Sequence, residues 1–199
     1  MKKLTVILIF LLLTLKGSFV YAYSSNPKEF VSELVNDAIT NLSSKDLSKE
    51  EKESFIENLA LNNVDVNALG LYTLGEIRKT SEKSSIEKYQ QAFQKYFLKS
   101  LTSRLTDYSS KKFEVISAEK KSANYTIVRS KILKSENQPE IKIDWRIYTK
   151  NPEKPLIRDL IVEGLSLART QKEEFASILS SNDNNLNSLI LKLEEFIDN

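Results

Sequence analysis

Apolar and polar side chains alternate without a break along Ile141-Lys142-Ile143-Asp144-Trp145-Arg146-Ile147-Tyr148. Successive side chains of a β-strand point to opposite faces of its sheet, so the three isoleucines and Trp145 share one face. Lys142, Asp144 and Arg146 then share the other face. A strand with one apolar and one polar face is typical of an antiparallel sheet that is covered on one side. The stretch therefore predicts a strand in such a sheet.

Three further stretches predict strands of the same sheet. They cover residues 113–116, 125–133 and 156–162 and are rich in β-branched and aromatic residues. The connections at 120–124, 135–139 and 150–155 are polar and short. A parallel crossover needs about a dozen residues or more, so these connections predict a four-stranded antiparallel meander.

Helical periodicity precedes and follows the strands. Helices are predicted over 27–42, from Ser48 onward, over 65–74, over 166–180 and over 186–197. The strongest pattern lies in 84–108, where large apolar residues recur at spacings of three and four, namely Ile86, Tyr89, Phe93, Tyr96, Phe97, Leu101, Leu105 and Tyr108. The class is therefore α+β, with helices packed on one face of a curved four-stranded antiparallel sheet.

The first 22 residues have the pattern of a cleavable signal peptide. Lys2 and Lys3 precede an apolar run from Leu4 to Leu15, and Val20-Tyr21-Ala22 fits a signal-peptidase site. The apolar run is shorter than the about 20 residues that span a bilayer, so an uncleaved anchor is the less favoured alternative. We expect export of a single domain over 23–199.

Composition excludes several functional classes. The chain has no His and no Cys, which rules out a Ser-His-Asp triad, a cysteine nucleophile, a disulfide and a zinc site with Cys or His ligands. Its 29 basic and 27 acidic residues give a net charge of +2. Removing Lys2, Lys3 and Lys16 with the signal peptide leaves 26 against 27, a net charge of −1. Nucleic-acid binding, which needs a basic surface, is therefore not expected.

No catalytic motif emerges from the polar residues. Gly70 and Gly75 have the glycine spacing of a phosphate loop but lack its Lys-Ser/Thr pair, and close packing or a helix end explains them better. Asp144 and Asp159 lie within predicted strands, where an apolar pocket could make one of them a general base. The structural alternative, which we favour, is pairing with Arg146, Arg158 or the backbone.

The apolar faces of the predicted strand 141–148 and of the long predicted helix contain unusually large side chains. Trp145 and its strand neighbours would oppose a helix with five aromatic residues in its apolar stripe. One interpretation is an ordinary core with large side chains. The other is the wall of a pocket, where sheet and helix stay apart to admit an apolar ligand.

Three segments then match known motifs in order and spacing. They are Val64-Asp65-Val66-Asn67-Ala68-Leu69-Gly70-Leu71-Tyr72-Thr73-Leu74-Gly75, the helical segment from Ser85 to Leu98, and Asp159-Leu160-Ile161-Val162-Glu163-Gly164-Leu165-Ser166-Leu167 with Phe175 beyond it. The set resembles the MlaC family of toluene-tolerance proteins, which are periplasmic phospholipid carriers of Gram-negative envelopes. The resemblance covers nearly all of 23–199.

The resemblance implies a cone-like fold of the nuclear-transport-factor type, with an apolar lipid cavity between helices and sheet. It further implies a monomeric periplasmic carrier without catalysis or cofactor, whose cargo is one phospholipid held by its acyl chains. The implied partners are an outer-membrane lipoprotein complex and an inner-membrane ABC transporter complex with a periplasmic substrate-binding subunit. Contact with the membranes themselves would be transient, and the carrier would help to maintain outer-membrane lipid asymmetry.

Within this resemblance, the apolar pattern selects candidate lipid-contacting residues, each an equally good candidate for ordinary core. They are Leu69, Leu74, Phe93, Phe97, Leu101, Ile143, Trp145, Leu160, Val162, Leu165 and Leu167. Leu165 is the first choice, because it lies where the last predicted strand leaves the sheet. Two alternatives stay open: an exported enzyme on the same fold with Asp144 or Asp159 as base, and an exported protein-interaction module with a solid core.

Overall fold

The computed structural model of the protein describes residues 23–105, 112–134 and 139–199. The predicted signal peptide lies outside these residues, as do positions 106–108 of the predicted long helix. The described helices are α1 (Pro27–Ser43), α2 (Lys49–Asn63), α3 (Val66–Thr73), α4 (Lys83–Leu105), α5 (Leu167–Ser180) and α6 (Leu186–Asp198). A 3-10 helix, Gly75–Lys79, follows α3.

The helices begin where the sequence places capping residues. The Asn26 side chain accepts hydrogen bonds from the backbone amides of Lys28 and Glu29 at the start of α1. Ser48 and Glu51 form a complete capping box at the start of α2. Such caps satisfy amides that the first helical turn leaves without partners, which explains why short polar side chains fix these boundaries.

The sheet is an antiparallel meander in the order β1-β2-β3-β4-β5. Its strands are β1 (Phe113–Ser122), β2 (Tyr125–Ile132), β3 (Ile141–Tyr148), β4 (Leu156–Val162) and β5 (Leu165–Ser166). The predicted α+β class, with helices on an antiparallel sheet, is confirmed. The two-residue strand β5 was not predicted.

Two differences from the sequence prediction have physical causes. Strand β1 continues through Lys120, Lys121 and Ser122, which were predicted as a turn because the end of this edge strand is exposed and lacks apolar alternation. A fifth strand also follows the four that were predicted. Glu163 and Gly164 adopt φ angles of 49° and 85°, the left-handed conformations of a tight hairpin turn, and so return the chain to pair as β5.

The buried apolar residues form two clusters. The helical cluster contains Val66, Leu74, Tyr89, Ala92, Phe93, Phe175, Leu179, Leu186, Leu189, Ile190 and Leu193. The sheet cluster contains Phe30, Val31, Leu34, Val128, Trp145, Ile147 and Ile157. Among the described residues, Val64 packs against both clusters. The sheet cluster thus joins α1 to β2, β3 and β4, while the helical cluster joins α3, α4, α5 and α6 to one another.

None of the helices within 23–105 and 139–199 is both long and apolar enough to cross a membrane.

Candidate functional site

The strand register brings five of the predicted lipid-contacting residues together on one face of the sheet. Ile143 lies opposite Val162, and Val162 lies opposite Leu165 on β5. Trp145 lies opposite Leu160 in the next pair along β3 and β4. Directly opposed residues of antiparallel strands share a face, so these side chains form a continuous apolar surface that ends at Leu165.

Trp145 is fixed in this surface by a residue that the sequence analysis did not single out. The indole N–H of Trp145 donates a hydrogen bond of 2.8 Å to Oγ of Ser130, and the Ser130 hydroxyl donates at 2.9 Å to the carbonyl of Ile143. The Phe113 ring meets the indole edge to face, with 6.2 Å between centroids. A buried indole needs such an acceptor, and only the register could have revealed that Ser130 provides it.

The predicted residues on the helices lie in or against the helical cluster. Leu74 and Phe93 are buried within it, and Leu69 and Phe97 pack against it as partly buried side chains. Leu101 is half-buried further along α4. In this respect the predicted set is not one contiguous group, because its sheet members and its helix members belong to different clusters.

A polar interaction stabilises the helical cluster internally. The hydroxyls of Tyr89 and Thr73 are hydrogen-bonded at 2.8 Å, and both side chains are buried. Burial raises the pKa of the Tyr89 hydroxyl well above its ordinary value, and the hydrogen bond with Thr73 only partly opposes that effect. This tyrosine therefore stays neutral and acts as a core residue with a satisfied hydroxyl.

Leu165 and Leu167 are the exposed members of the predicted set. Their exposed fractions are 69% and 45%, the largest apolar exposure at the junction of β5 and α5. The prediction placed them at a cavity wall, and in the described structure they lie at the surface end of the sheet's apolar face. Exposed large apolar side chains at the end of an apolar surface indicate a place where a ligand or a partner covers them.

The long helix and the sheet have different packing partners. Helix α4 packs mainly on α6, α2 and α3, whereas α1 packs on β1 and β2, and α3 and α5 pack on β4. Five of the predicted residues are only partly buried: Phe97, Leu101, Ile143, Leu160 and Val162. Phe97 packs against the helical cluster, whereas Ile143 and Leu160 pack against the sheet cluster, so both clusters carry partly exposed apolar side chains.

Asp159 has the structural role that the sequence analysis favoured. Its carboxylate is buried and accepts hydrogen bonds from Oγ of Ser166 at 2.7 Å and from the amide of Ala168 at 3.0 Å. Nη1 of Arg146 lies 3.6 Å away. These contacts engage both carboxylate oxygens and hold the first turn of α5 against β4. The other candidate base, Asp144, lies opposite Arg129 on β2, on the polar face of the sheet.

Arg158 pairs with Asp65 rather than with Asp159. Its guanidinium donates to Oδ2 of Asp65 at 2.8 and 2.7 Å, donates to the Tyr125 hydroxyl at 2.7 Å and lies 3.4 Å from the ring centroid of Tyr148. Burial alone would lower the pKa of Arg158, but the hydrogen bonds with Tyr125 and Asp65 outweigh it and raise that pKa. Asp65 also caps α3, so this contact ties the helix to β4.

Among the residues described, no group of three or more acidic side chains could hold a metal ion. The arrangement offers apolar surface and structural ion pairs.

Comparison with known proteins agrees with these features. The model of the MlaC protein family matches residues 32–195. The chain belongs to the MlaC family. Its fold matches a phospholipid-binding protein from Ralstonia solanacearum, whose structure was determined in complex with a phospholipid. The two chains are 18% identical, the match covers 84% of this chain and 94% of the other, and the TM-score is 0.69. None of the curated proteins compared with the chain matches it.

The two segments that resemble MlaC-family motifs at 64–75 and 159–167 both have a structural role in the fold. The segment 64–75 contains Val64, which joins the two clusters, and Asp65, which ties α3 to β4. It also contains Gly70, at the close contact of α3 with α4. The segment 159–167 contains the Asp159 anchor and the hairpin turn before Leu165. In this MlaC-family chain both segments therefore position the sheet's apolar face against the helices.

Proposed function

We propose that this MlaC-family protein binds a phospholipid by its acyl chains and carries it through an aqueous compartment between two membranes. The observation that carries the proposal is the division of the interior into a helical and a sheet cluster, each with partly buried apolar residues packed against it. Family membership supports it, as does the structural neighbour that was solved with a bound phospholipid.

The energetics of lipid transfer explain why such a protein needs an apolar interior that can part to admit acyl chains. Burial of one methylene away from water contributes about 0.8 kcal/mol of transfer free energy. A two-chain lipid with roughly 30 methylenes therefore has to recover ~25 kcal/mol from burial in the protein when it leaves a membrane. We place the acyl chains between the two clusters, against Ile143 and Val162 on the sheet and Phe97 and Leu101 on α4. Leu165 would lie at the mouth, with the head group near solvent.

The cellular setting is part of the same proposal. Export by the segment 1–22 would deliver residues 23–199 to the periplasm as a monomer. There the carrier would exchange lipid with an outer-membrane lipoprotein complex and with the substrate-binding subunit of an inner-membrane ABC transporter, and so maintain outer-membrane asymmetry. A net charge of −1 after cleavage favours weak, transient contact with anionic membrane surfaces.

The enzyme alternative has less support than the carrier. Both carboxylate oxygens of the buried Asp159 accept hydrogen bonds, from Ser166 and Ala168, and Arg146 lies 3.6 Å away, which favours a structural role for this carboxylate over that of a general base. Asp144 lies on the polar face, away from the apolar surface that would shape a pocket. We therefore propose no catalytic step for this protein.

A matched pair of leucine substitutions tests the proposal. Leu165→Glu places a charge at the proposed mouth, and Leu191→Glu places the same charge at an exposed leucine on α6. Both leucines are more than half exposed, at 69% and 59%, so neither substitution should unfold the protein. We expect Leu165→Glu to lower uptake of a fluorescent phospholipid from vesicles about tenfold, while Leu191→Glu takes up lipid like the parent protein.

Two outcomes of this uptake measurement would contradict the proposal. Equal uptake by the parent and both variants would remove Leu165 from the lipid path. No uptake by the parent protein would contradict the carrier function itself and favour an interaction module with a solid core.

A further inference from the structure

A cleft between α3 and α5 contains charged groups that the lipid proposal does not use. It has a volume of about 340 Å³ and is lined by Tyr72, Arg169, Lys172, Glu173 and Ala176. The four lining residues of α5 follow a spacing of three and four, so they occupy one face of that helix.

Lys172 is held in position within the cleft. Its Cε lies 3.1 Å from where a Cβ on Gly75 would stand, so the absence of a side chain at Gly75 makes room for the lysine stem. The ammonium lies 5.3 Å from the ring centroid of Tyr72, a cation–π distance. A cation that is already oriented loses little conformational entropy when it binds an anion.

Arg169 has a guanidinium that its own chain leaves available. Within the described residues, no hydrogen bond or ion pair engages its side chain, whereas its backbone amide is bound by Ser166. Two carboxylates lie near these cations: Glu173 lines the cleft, and the pKa of Glu76 is lowered by Lys79 and, more weakly, by Lys172. The cleft therefore presents two cations, one oriented and one without a partner, beside a tyrosine ring that is 38% exposed.

We infer that this cleft docks an acidic polypeptide segment of a partner protein. Tyr and Arg are the residue types that contribute most often to protein–protein hot spots, and Arg binds carboxylates in bidentate fashion. A concave cleft between two helices suits a protruding segment better than a flat bilayer surface. Glu173 in the lining also disfavours a membrane of uniform negative charge, while a discrete partner can place a neutral or cationic group beside it.

The cleft adjoins the proposed lipid mouth along the chain. Leu165 lies on β5, Leu167 is the first residue of α5, and Arg169 lies in the same first turn. A partner seated in the cleft would therefore lie within about one helical turn of Leu167, near the mouth through which lipid would leave. The inference deepens the carrier function and rests on it for its purpose, since a carrier must dock with a donor and an acceptor.

Amide chemical shifts of the isotope-labelled protein test the docking directly. The probe is the acetylated, amidated peptide Glu-Glu-Leu-Glu-Glu-Leu, added at low salt. We expect saturable shifts at Tyr72, Arg169 and Lys172, which weaken as ionic strength rises. The substitutions Arg169→Glu and Lys172→Gln should each weaken the peptide about tenfold. The second keeps most of the stem that packs on Gly75.

Charge reversal at Lys88 and Lys95, exposed on α4, provides the control and should leave peptide affinity unchanged. Shifts that are absent or lie elsewhere, or an unchanged affinity in the cleft variants, would overturn the inference. It would also be overturned if vesicles of phosphatidylcholine and phosphatidylglycerol shift these residues and the peptide does not, because the occupant would then be a membrane surface.

Lipid uptake from vesicles, measured on the same proteins, separates this inference from the carrier function. If the cleft variants lose peptide binding but still take up lipid, the result supports both the docking cleft and the carrier function. If the parent protein binds the peptide but none of the proteins takes up lipid, the result contradicts the carrier function and still supports the docking cleft.

Discussion

At Gly70, helix α3 approaches α4 so closely that a Cβ would stand 2.8 Å from Cδ1 of Phe93. Phe93 cannot easily move, because the rings of Tyr89, Phe97 and Phe175 surround it at centroid distances of 5.8 to 6.2 Å. Alanine would gain about 1 kcal/mol from helix propensity, but overpacking of a core costs about 1–3 kcal/mol. Steric strain should therefore dominate at this position.

We predict that Gly70→Ala lowers the free energy of unfolding by about 1–2 kcal/mol, measured by urea denaturation. Asn67→Ala, at an exposed position of the same helix, is the control and should change stability by less than about 0.5 kcal/mol. A Gly70→Ala protein as stable as the parent would show that the α3–α4 contact can relax.

The Ser130–Trp145 hydrogen bond gives a second residue-scale prediction. Ser130→Ala leaves the buried indole N–H without an acceptor, which costs about 1–3 kcal/mol. Trp145 is the one tryptophan in the chain, so its fluorescence reports this environment alone. We expect a shifted emission maximum and a lower urea midpoint. Ser117→Ala on β1 is the matched control, and equal effects of the two substitutions would contradict the assignment.

Residue faces could be predicted from the sequence, but contacts could not. The alternation along β3 correctly placed Trp145 on the apolar face, and helix periodicity correctly buried Phe93. The acceptor for Trp145 and the partner of Arg158 depend on register between strands distant in sequence. Leu165 was chosen as a cavity residue and is 69% exposed, because an apolar side chain has the same pattern in a core and at a mouth.

At the scale of elements, one ion pair fastens α3 to the sheet. Arg158 makes two hydrogen bonds to Asp65, and its Cζ lies 3.4 Å from the ring centroid of Tyr148, a combination that suits a planar guanidinium. Arg158→Lys keeps the charge and loses this geometry. We predict a loss of about 1.5–3 kcal/mol in unfolding free energy, measured by urea denaturation.

The same substitution on the neighbouring strand provides the control for this prediction. Arg146 faces Asp159 at 3.6 Å and is 44% exposed, so Arg146→Lys should cost less than about 1 kcal/mol. If the two variants lose equal stability, the contact between α3 and β4 does not depend on the guanidinium of Arg158.

The elements themselves were largely predictable. Caps at Asn26 and Ser48 located the starts of α1 and α2, and the bounds of β3 and β4 agree with the sequence patterns. Strand β5 was missed because two residues are too few to show alternation. It forms because Glu163 and Gly164 both adopt positive φ angles. Of these two residue types, only glycine is one from which a positive φ angle could be predicted.

For the whole molecule, the family and the fold class followed from the sequence, whereas the arrangement of its interior did not. Apolar periodicity shows that residues are buried, but it does not show against which partner. The structure divides them between a helical and a sheet cluster that share Val64. This division is the feature that a lipid carrier requires, because acyl chains can replace contacts at a boundary more readily than inside a single packed core.

The central claim is that this protein encloses a phospholipid, and lipid extraction from the natively purified protein tests it most directly. Mass spectrometry of the extract should reveal phospholipid in a constant ratio to protein. The Leu165→Glu variant, purified in parallel, should contain markedly less. An extract free of phospholipid, from a parent protein that also takes up none from vesicles, would contradict the account.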